Sequence, residues 1–185
     1  TGDWSSDVCS SDLEAAMQRK ETLLETIYLR LEAYELSKTL HHINDILINA
    51  SGLILSYKYL GEMEVSMERL ERLESAEKIF KETILIIENE DTEDFLQMHS
   101  VFLSNGGQIY NALGQNEQAI SILDDAIKLS EKLLKKDLKE YILTHIVNYY
   151  NLMFHHSDLW KNIGPSIYKE NAYNISLIII ELCEK

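Results

Sequence analysis

The stretch that decides the fold is residues 100–133, SVFLSNGGQIYNALGQNEQAISILDDAIKLSEKL. Apolar residues recur in it at intervals of three and four, as in Ala119, Leu123 and Ala126, which is the spacing of an amphipathic helix. The triplet GQN at residues 114–116 interrupts this pattern and predicts a turn. The stretch therefore predicts two helices that pack against each other as an antiparallel hairpin.

The same helical periodicity extends over the chain from Glu14 onward, without the alternation typical of strands. The only proline, Pro165, lies where a helix could begin. The sequence thus predicts an all-α fold of antiparallel helix hairpins with short connections. Seven helices are expected, at residues 14–37, 39–59, 68–88, 92–113, 116–135, 137–155 and 166–184.

Residues 100–133 resemble a tetratricopeptide repeat (TPR), which has a period of roughly 34 residues. Gly107 and Ala119 match the small positions at which the two helices of a repeat cross, and Leu103 and Tyr110 match the apolar positions beside them. Leucine replaces the tryptophan usual at position 4 of the repeat. The resemblance implies hairpins stacked as a right-handed superhelix, an α-solenoid.

Two weaker repeats flank this one. In the first, Gly52 and Ala76 would occupy the small positions; in the third, Val147 and Tyr150 would pack against the last helix. Each contains about a dozen more residues than a TPR of roughly 34 residues. A single repeat cannot bury its own apolar face, so at least three are expected to stack.

Residues 1–13, TGDWSSDVCSSDL, show no apolar periodicity. They are similar to the in-frame translation of a common short-read sequencing adapter. We interpret them as non-native, the alternative being a natural disordered terminus. Residues 14–185 are then a helical repeat domain, expected to be truncated at both ends.

Composition narrows the class of protein further. The chain has 185 residues, 45% of them apolar, and a formal net charge of −14. This length predicts one domain, and the negative charge disfavours a nucleic-acid surface. No apolar stretch approaches the ~20 residues of a membrane-spanning helix, and two cysteines do not make a disulfide scaffold. We expect a cytoplasmic domain that binds neither nucleic acid nor membrane.

The sequence contains only weak motifs for nucleotide binding, metal binding or catalysis. The sequence Asn105-Gly106-Gly107 lacks the lysine of a phosphate-binding loop. The pairs at residues 41–42 and 155–156 are adjacent histidines, which point about 100° apart on a helix and make poor chelates. We therefore expect no catalytic residue, no metal and no cofactor, and predict that the chain is not an enzyme.

The sequence supports a peptide-binding function better than a catalytic one. In TPR arrays the first helix of each repeat lines a concave groove, and the resemblance carries the groove positions onto specific residues of the second and third repeats. Their hydroxyls and amides suit the backbone of an extended peptide, because an amide both donates and accepts hydrogen bonds. Replacing Asn105 or Asn148 by alanine is expected to abolish binding and leave thermal stability nearly unchanged. The candidates are Ser104, Asn105, Gln108, Asn111, Thr144, Asn148 and Asn151, with Tyr149 as an adjacent aromatic contact.

The drifted acidic repeats and the closing IELCEK look like the C-terminal halves of helix-turn-helix regulators of Gram-positive bacteria. That resemblance implies a sensory region that binds a peptide or protein, or that forms a homodimer, and no nucleic-acid binding by this fragment itself. Two other classes stay open: a general interaction scaffold, and an accessory region of a signalling enzyme.

Overall fold

The computed structural model describes residues 4–88, 90, 93–164 and 166–184. The interpretation of residues 1–13 as an adapter falls in part outside this range. Every regular element of the described residues is helical, which confirms the all-α prediction. The helices are α1 (Trp4–Leu40), α2 (Ile43–Met63), α3 (Ser66–Ile87), a short 3-10 turn (Glu93–Phe95), α4 (Leu96–Ala112), α5 (Asn116–Lys136), α6 (Leu138–Ile163) and α7 (Ser166–Cys183).

Two helices are much longer than the sequence predicts, and two others, α2 and α4, begin later, at Ile43 rather than residue 39 and at Leu96 rather than residue 92. Helix α1 begins at Trp4 rather than at residue 14, and α6 continues to Ile163 rather than ending at residue 155. The polar run HHSDLW at residues 155–160 suggests a helix end, yet His155 and Leu159 are buried, so the helix continues through it. It ends at Gly164, whose φ of 89° is the left-handed conformation that glycine adopts most readily.

The turn between α4 and α5 lies where the sequence places it. Gly114 has a φ of 74°, and its N–H donates to the carbonyl of Asn111 at 2.9 Å. The N–H of Gln115 donates to the carbonyl of Tyr110, also at 2.9 Å. These bonds satisfy the carbonyls that the end of α4 would otherwise leave unpaired.

Consecutive helices pair: α2 packs with α3, α4 with α5, and α6 with α7. In addition, α2 contacts α4 and α4 contacts α6. The first helices of the three hairpins therefore contact one another in succession, while α1 packs on α2 and α5 packs on α6. The hydroxyl of Tyr34 in α1 also hydrogen-bonds with Thr83 Oγ1 in α3 at 2.8 Å. No helix of the described residues is both long enough and apolar enough to span a lipid bilayer.

Three aromatic rings hold α3 against α4. Phe80 stacks on Phe102 at a centroid distance of 4.9 Å and meets Tyr110 edge-on at 5.7 Å. Gly106 provides the space for this contact, since a Cβ built there would lie 2.1 Å from the Phe80 ring. Gly107 faces α5, where its Cβ would lie 2.6 Å from Leu123 Cγ. The close approach that the sequence predicts at Gly107 is present.

The burial expected for two residues of α6 is wrong. Val147 and Tyr150, predicted to be core residues, are 45% and 52% exposed. Helix α6 instead buries the face that carries His145, Asn148 and Leu152. Polar side chains are tolerated on that face because they form hydrogen bonds with α4 and α5, as described below.

Candidate functional site

A groove runs along the line where α4 and α6 meet, and we call it the α4–α6 groove. The name covers two separate cavities that follow each other along the two helices, an upper pocket of about 200 Å³ and a lower cavity of about 490 Å³. All seven residues that the sequence proposed for binding lie in its lining, but Ser104, Asn105 and Asn148 are buried, so the expectation that they contact a ligand is wrong. The candidates that remain accessible are Gln108, Asn111, Thr144 and Asn151. The upper pocket is lined by Ser104, Asn105, Thr144 and Asn148, and the lower cavity by Gln108, Asn111 and Asn151.

Some of these side chains also hold the helices together. Asn148 is 1% exposed, and its Nδ2 donates to Ser100 Oγ at 2.8 Å and to the carbonyl of Ala126 at 3.1 Å. One turn further along α6, Asn151 Nδ2 donates to Ser104 Oγ at 2.8 Å. These bonds link α6 to α4 and α5. The floor of the groove is thus fixed by the same amides that the sequence assigns to ligand binding.

Beside this floor α6 presents an apolar stripe that the sequence interpretation missed. Leu143, Val147, Tyr150 and Phe154 are separated by four, three and four residues, which places them on one face of the helix. They are 68%, 45%, 52% and 49% exposed, and all four line the groove. Their regular spacing is the signal in the sequence, but the sequence analysis considers only Val147 and Tyr150, and places them in the core.

Tyr149 does not supply the aromatic contact expected of it. Its ring lies edge-on to His145 at 4.8 Å and packs against the small cluster that includes Leu123 and Leu152. Tyr150 and Phe154 take that place in the groove, with their rings stacked at a centroid distance of 6.5 Å.

The lower cavity is polar and carries balanced charge. Lys58 and Arg69 lie in its lining together with Glu62 and Asp158. Lys58 Nζ pairs with Glu62 Oε1 at 2.8 Å. A cavity with two basic and two acidic residues has little net field to select either an anion or a cation.

His155 forms part of the cavity lining from α6 and is 1% exposed. Both of its ring nitrogens are buried, and the backbone of Asn116 lies close enough to hydrogen-bond with the ring. Burial lowers the pKa of His155, and the nearby backbone of Asn116 and carboxylate of Asp158 only partly oppose it. The ring is therefore neutral near pH 7, with one nitrogen that can donate and one that can accept.

Burial also lowers the pKa of three further histidines in α4 and α6, His99, His145 and His156. In the unfolded chain these groups take up protons near pH 6.5, and the folded protein resists that uptake. We therefore expect the free energy of unfolding to fall as the pH is lowered from about 7.5 to 5.5. Urea titrations followed by circular dichroism would measure it. A constant or rising stability would show that these rings are not buried as described.

A second crevice, of about 620 Å³, lies between α1 and α2. Leu23, Tyr59 and Met63 make its lining largely apolar, and it contains none of the predicted binding residues. Among the described residues, no group of three or more histidine, cysteine or acidic side chains has the arrangement of a metal site. The α4–α6 groove is thus the place where polar and apolar contacts converge.

Comparisons with protein-family models, with curated proteins and with solved structures found no significant match to this chain.

Proposed function

We propose that this chain is a non-catalytic, TPR-like region that binds an extended peptide, or a peptide segment of a protein, in the α4–α6 groove. The observation that carries the proposal is the pairing of an amide-lined floor with an exposed apolar stripe along one groove. Amides recognise the peptide backbone, and the stripe supplies contact area for side chains.

The dimensions of the groove suit a short peptide. The apolar stripe from Leu143 to Phe154 spans roughly 16 Å along α6, at about 1.5 Å of rise per residue. An extended chain advances about 3.3 Å per residue, so about five residues would lie along it. The groove would thus recognise a penta- or hexapeptide segment.

The row formed by α2, α4 and α6 supports the TPR-like part of the proposal, because TPR arrays place the first helix of every repeat on the concave side. We also propose that the parent protein is a bacterial regulator and that this region is its sensor. Sequencing the native locus on both sides of the segment that encodes residues 14–185 tests this: an upstream helix-turn-helix segment would support a regulator, and a catalytic domain would contradict it.

The groove is tested by the double variant Tyr150→Ala/Phe154→Ala. Both side chains are about half exposed, so the free energy of unfolding should change by less than about 1 kcal/mol. Binding of a positional-scanning library of fluorescent acetyl-hexapeptides, followed by polarisation, should weaken by about tenfold or more because two aromatic contacts are lost.

The matched control is Tyr173→Ala, which removes an equally exposed tyrosine from α7. It should bind the library as the wild type does. If the control weakens binding as much as the double variant does, the α4–α6 groove is not the binding site.

A second candidate function is a protein interface on α7, consistent with the homodimer that the sequence leaves open. Ile167, Leu177 and Ile180 are each about half exposed on this helix. Exposed apolar faces of this kind are typical of interaction surfaces. Sedimentation at twice the 21.4 kDa chain mass, reversed by Tyr173→Ala, would favour this candidate over the groove.

A further inference from the structure

We infer that the crevice between α1 and α2 binds a small amphipathic monocarboxylate, a medium-chain fatty acid, with its acyl chain in the crevice and its carboxylate on Arg19. The juxtaposition that carries this inference is an arginine that forms no salt bridge with any described residue, in the lining of a largely apolar crevice. Of the described residues in this lining, only Glu62 also belongs to the lower cavity of the α4–α6 groove. The inference therefore goes beyond the proposed function and does not depend on it.

The walls of the crevice suit an acyl chain. Leu23 comes from α1, and Tyr59 and Met63 come from α2. Tyr59 is 48% and Met63 40% exposed, so their apolar surface is accessible to a ligand. The volume of about 620 Å³ lies within the range of pockets that hold small ligands, about 300–1,000 Å³. Covering these side chains with an acyl chain would remove apolar surface of both partners from water.

Arg19 supplies the charge that a carboxylate needs. The charged residues of the lining are Arg19 and Glu62. Glu62 Oε1 already pairs with Lys58 Nζ at 2.8 Å, whereas no salt bridge between described residues includes Arg19. The crevice thus presents one uncompensated positive charge in a chain of net charge −14. A guanidinium can hold a carboxylate through two parallel hydrogen bonds, so this charge favours a monocarboxylate.

Neighbouring ion pairs hold the crevice in shape. The residue after Arg19 in α1 is Lys20, whose Nζ lies 2.9 Å from Glu64 Oε1 at the end of α2. Arg72 Nε of α3 lies 3.0 Å from the other oxygen of the same carboxylate. The Glu64 side chain is only 2% exposed, so water competes little with these contacts. Helices α1 and α2 are therefore tied together beside the crevice, and a preformed site loses less free energy on binding.

The small number of polar groups in the crevice favours a fatty acid over a peptide. A peptide brings an amide with every residue, and each amide that leaves water needs a hydrogen-bond partner. Besides the Tyr59 hydroxyl, the uncharged polar side chains of the described lining are Gln18 and Thr22. Thr22 Oγ1 already donates to the carbonyl of Gln18 at 2.9 Å. An acyl chain makes no such demand, because its only polar atoms are those of the carboxylate.

Isothermal titration calorimetry of the full chain with octanoate, nonanoate and decanoate, below the concentrations at which they form micelles, tests the site. Affinity should rise by up to about fourfold with each added methylene, because each one buries further apolar surface. Decanoate should bind about fivefold more tightly than decylammonium, which carries the opposite charge on the same chain. Equal affinity for these two ligands, or affinity independent of chain length, would overturn the inference.

Arg19→Glu should reverse the preference between decanoate and decylammonium. The matched control is Lys78→Glu, which makes the same change of charge on α3, outside the crevice lining. Arg19 and Lys78 are both exposed, so both variants are expected to fold. The control should keep the wild-type preference for decanoate. A preference that survives in Arg19→Glu, or that is equally lost in Lys78→Glu, would show that Arg19 does not bind the carboxylate.

A measurement on the wild type locates the ligand independently of the variants. With ¹³C-labelled methionine methyl groups, the Met63 resonance should shift on addition of decanoate, whereas that of Met153 in α6 should not. A hexapeptide with a free C-terminal carboxylate on leucine should leave Met63 unchanged. A shift of Met63 with this peptide and not with decanoate would assign the crevice to a peptide terminus and overturn the inference.

Discussion

Gly106→Ala should lower the free energy of unfolding by about 2–3 kcal/mol, although alanine is the better helix former. The added Cβ would lie 2.1 Å from the Phe80 ring. That ring cannot easily move away, because it is 4% exposed and lies between Phe102 and Tyr110. Either the ring leaves its stacked position or α3 separates from α4, and both losses destabilise the core.

Gly61→Ala is the matched control for this substitution. Gly61 also lies within a helix, but the nearest atoms to its Cβ, on Arg69 and Arg72, are 3.4 Å away. This variant should be neutral or more stable by up to about 1 kcal/mol, the gain in helix propensity. Urea unfolding followed by circular dichroism measures both. Equal stabilities for the two variants would contradict the contact between Gly106 and Phe80.

Asn148→Ala should lower the free energy of unfolding by about 2 kcal/mol. It removes two hydrogen bonds from a side chain that is 1% exposed, those to Ser100 Oγ and to the carbonyl of Ala126. It also leaves a cavity between α4, α5 and α6. From the sequence alone, this substitution is expected to affect binding and leave stability nearly unchanged. Because the structure buries the hydrogen bonds of Asn148, a loss of stability is expected instead.

Asn151→Ala provides the comparison, because Asn151 is only partly buried and makes one hydrogen bond, to Ser104 Oγ. Asn151→Ala should lower the free energy of unfolding by about 1 kcal/mol or less. Thermal melts of the two variants side by side would measure the difference. If Asn148→Ala melts at the wild-type temperature, the buried amide does not join the three helices as described.

The helices and the α4–α5 hairpin could be predicted from the sequence because their signals are local. Apolar spacing, Gly114 in the turn and the small Gly107 at the crossing each act within one hairpin. The orientation of α6 could not be predicted from the sequence, because two different faces of this helix could pack against α4 and α5. The more apolar face, with Val147 and Tyr150, is exposed.

The face of α6 that is buried contains His145 and Asn148. Its burial depends on partners far away in the chain, since Ser130 Oγ lies 2.7 Å from His145 Nδ1 and Ser100 Oγ accepts from Asn148. Hydrophobic periodicity does not report such pairs. For the same reason the seven groove residues were found by position in a repeat, whereas His155 and the apolar stripe were not found as parts of the groove.

Helix α6 carries solvent-exposed apolar residues on one face and a buried, hydrogen-bonded asparagine on another, and these two kinds of residue tolerate mutation differently. Leu143, Val147, Tyr150 and Phe154 face solvent, so mutations there can change the surface of the groove at little cost in stability. Asn148 has no such freedom, because its amide also joins three helices. For the proposed peptide ligand, changes of preference are therefore expected from mutations in the stripe, whereas mutations of Asn148 are expected to cost stability first.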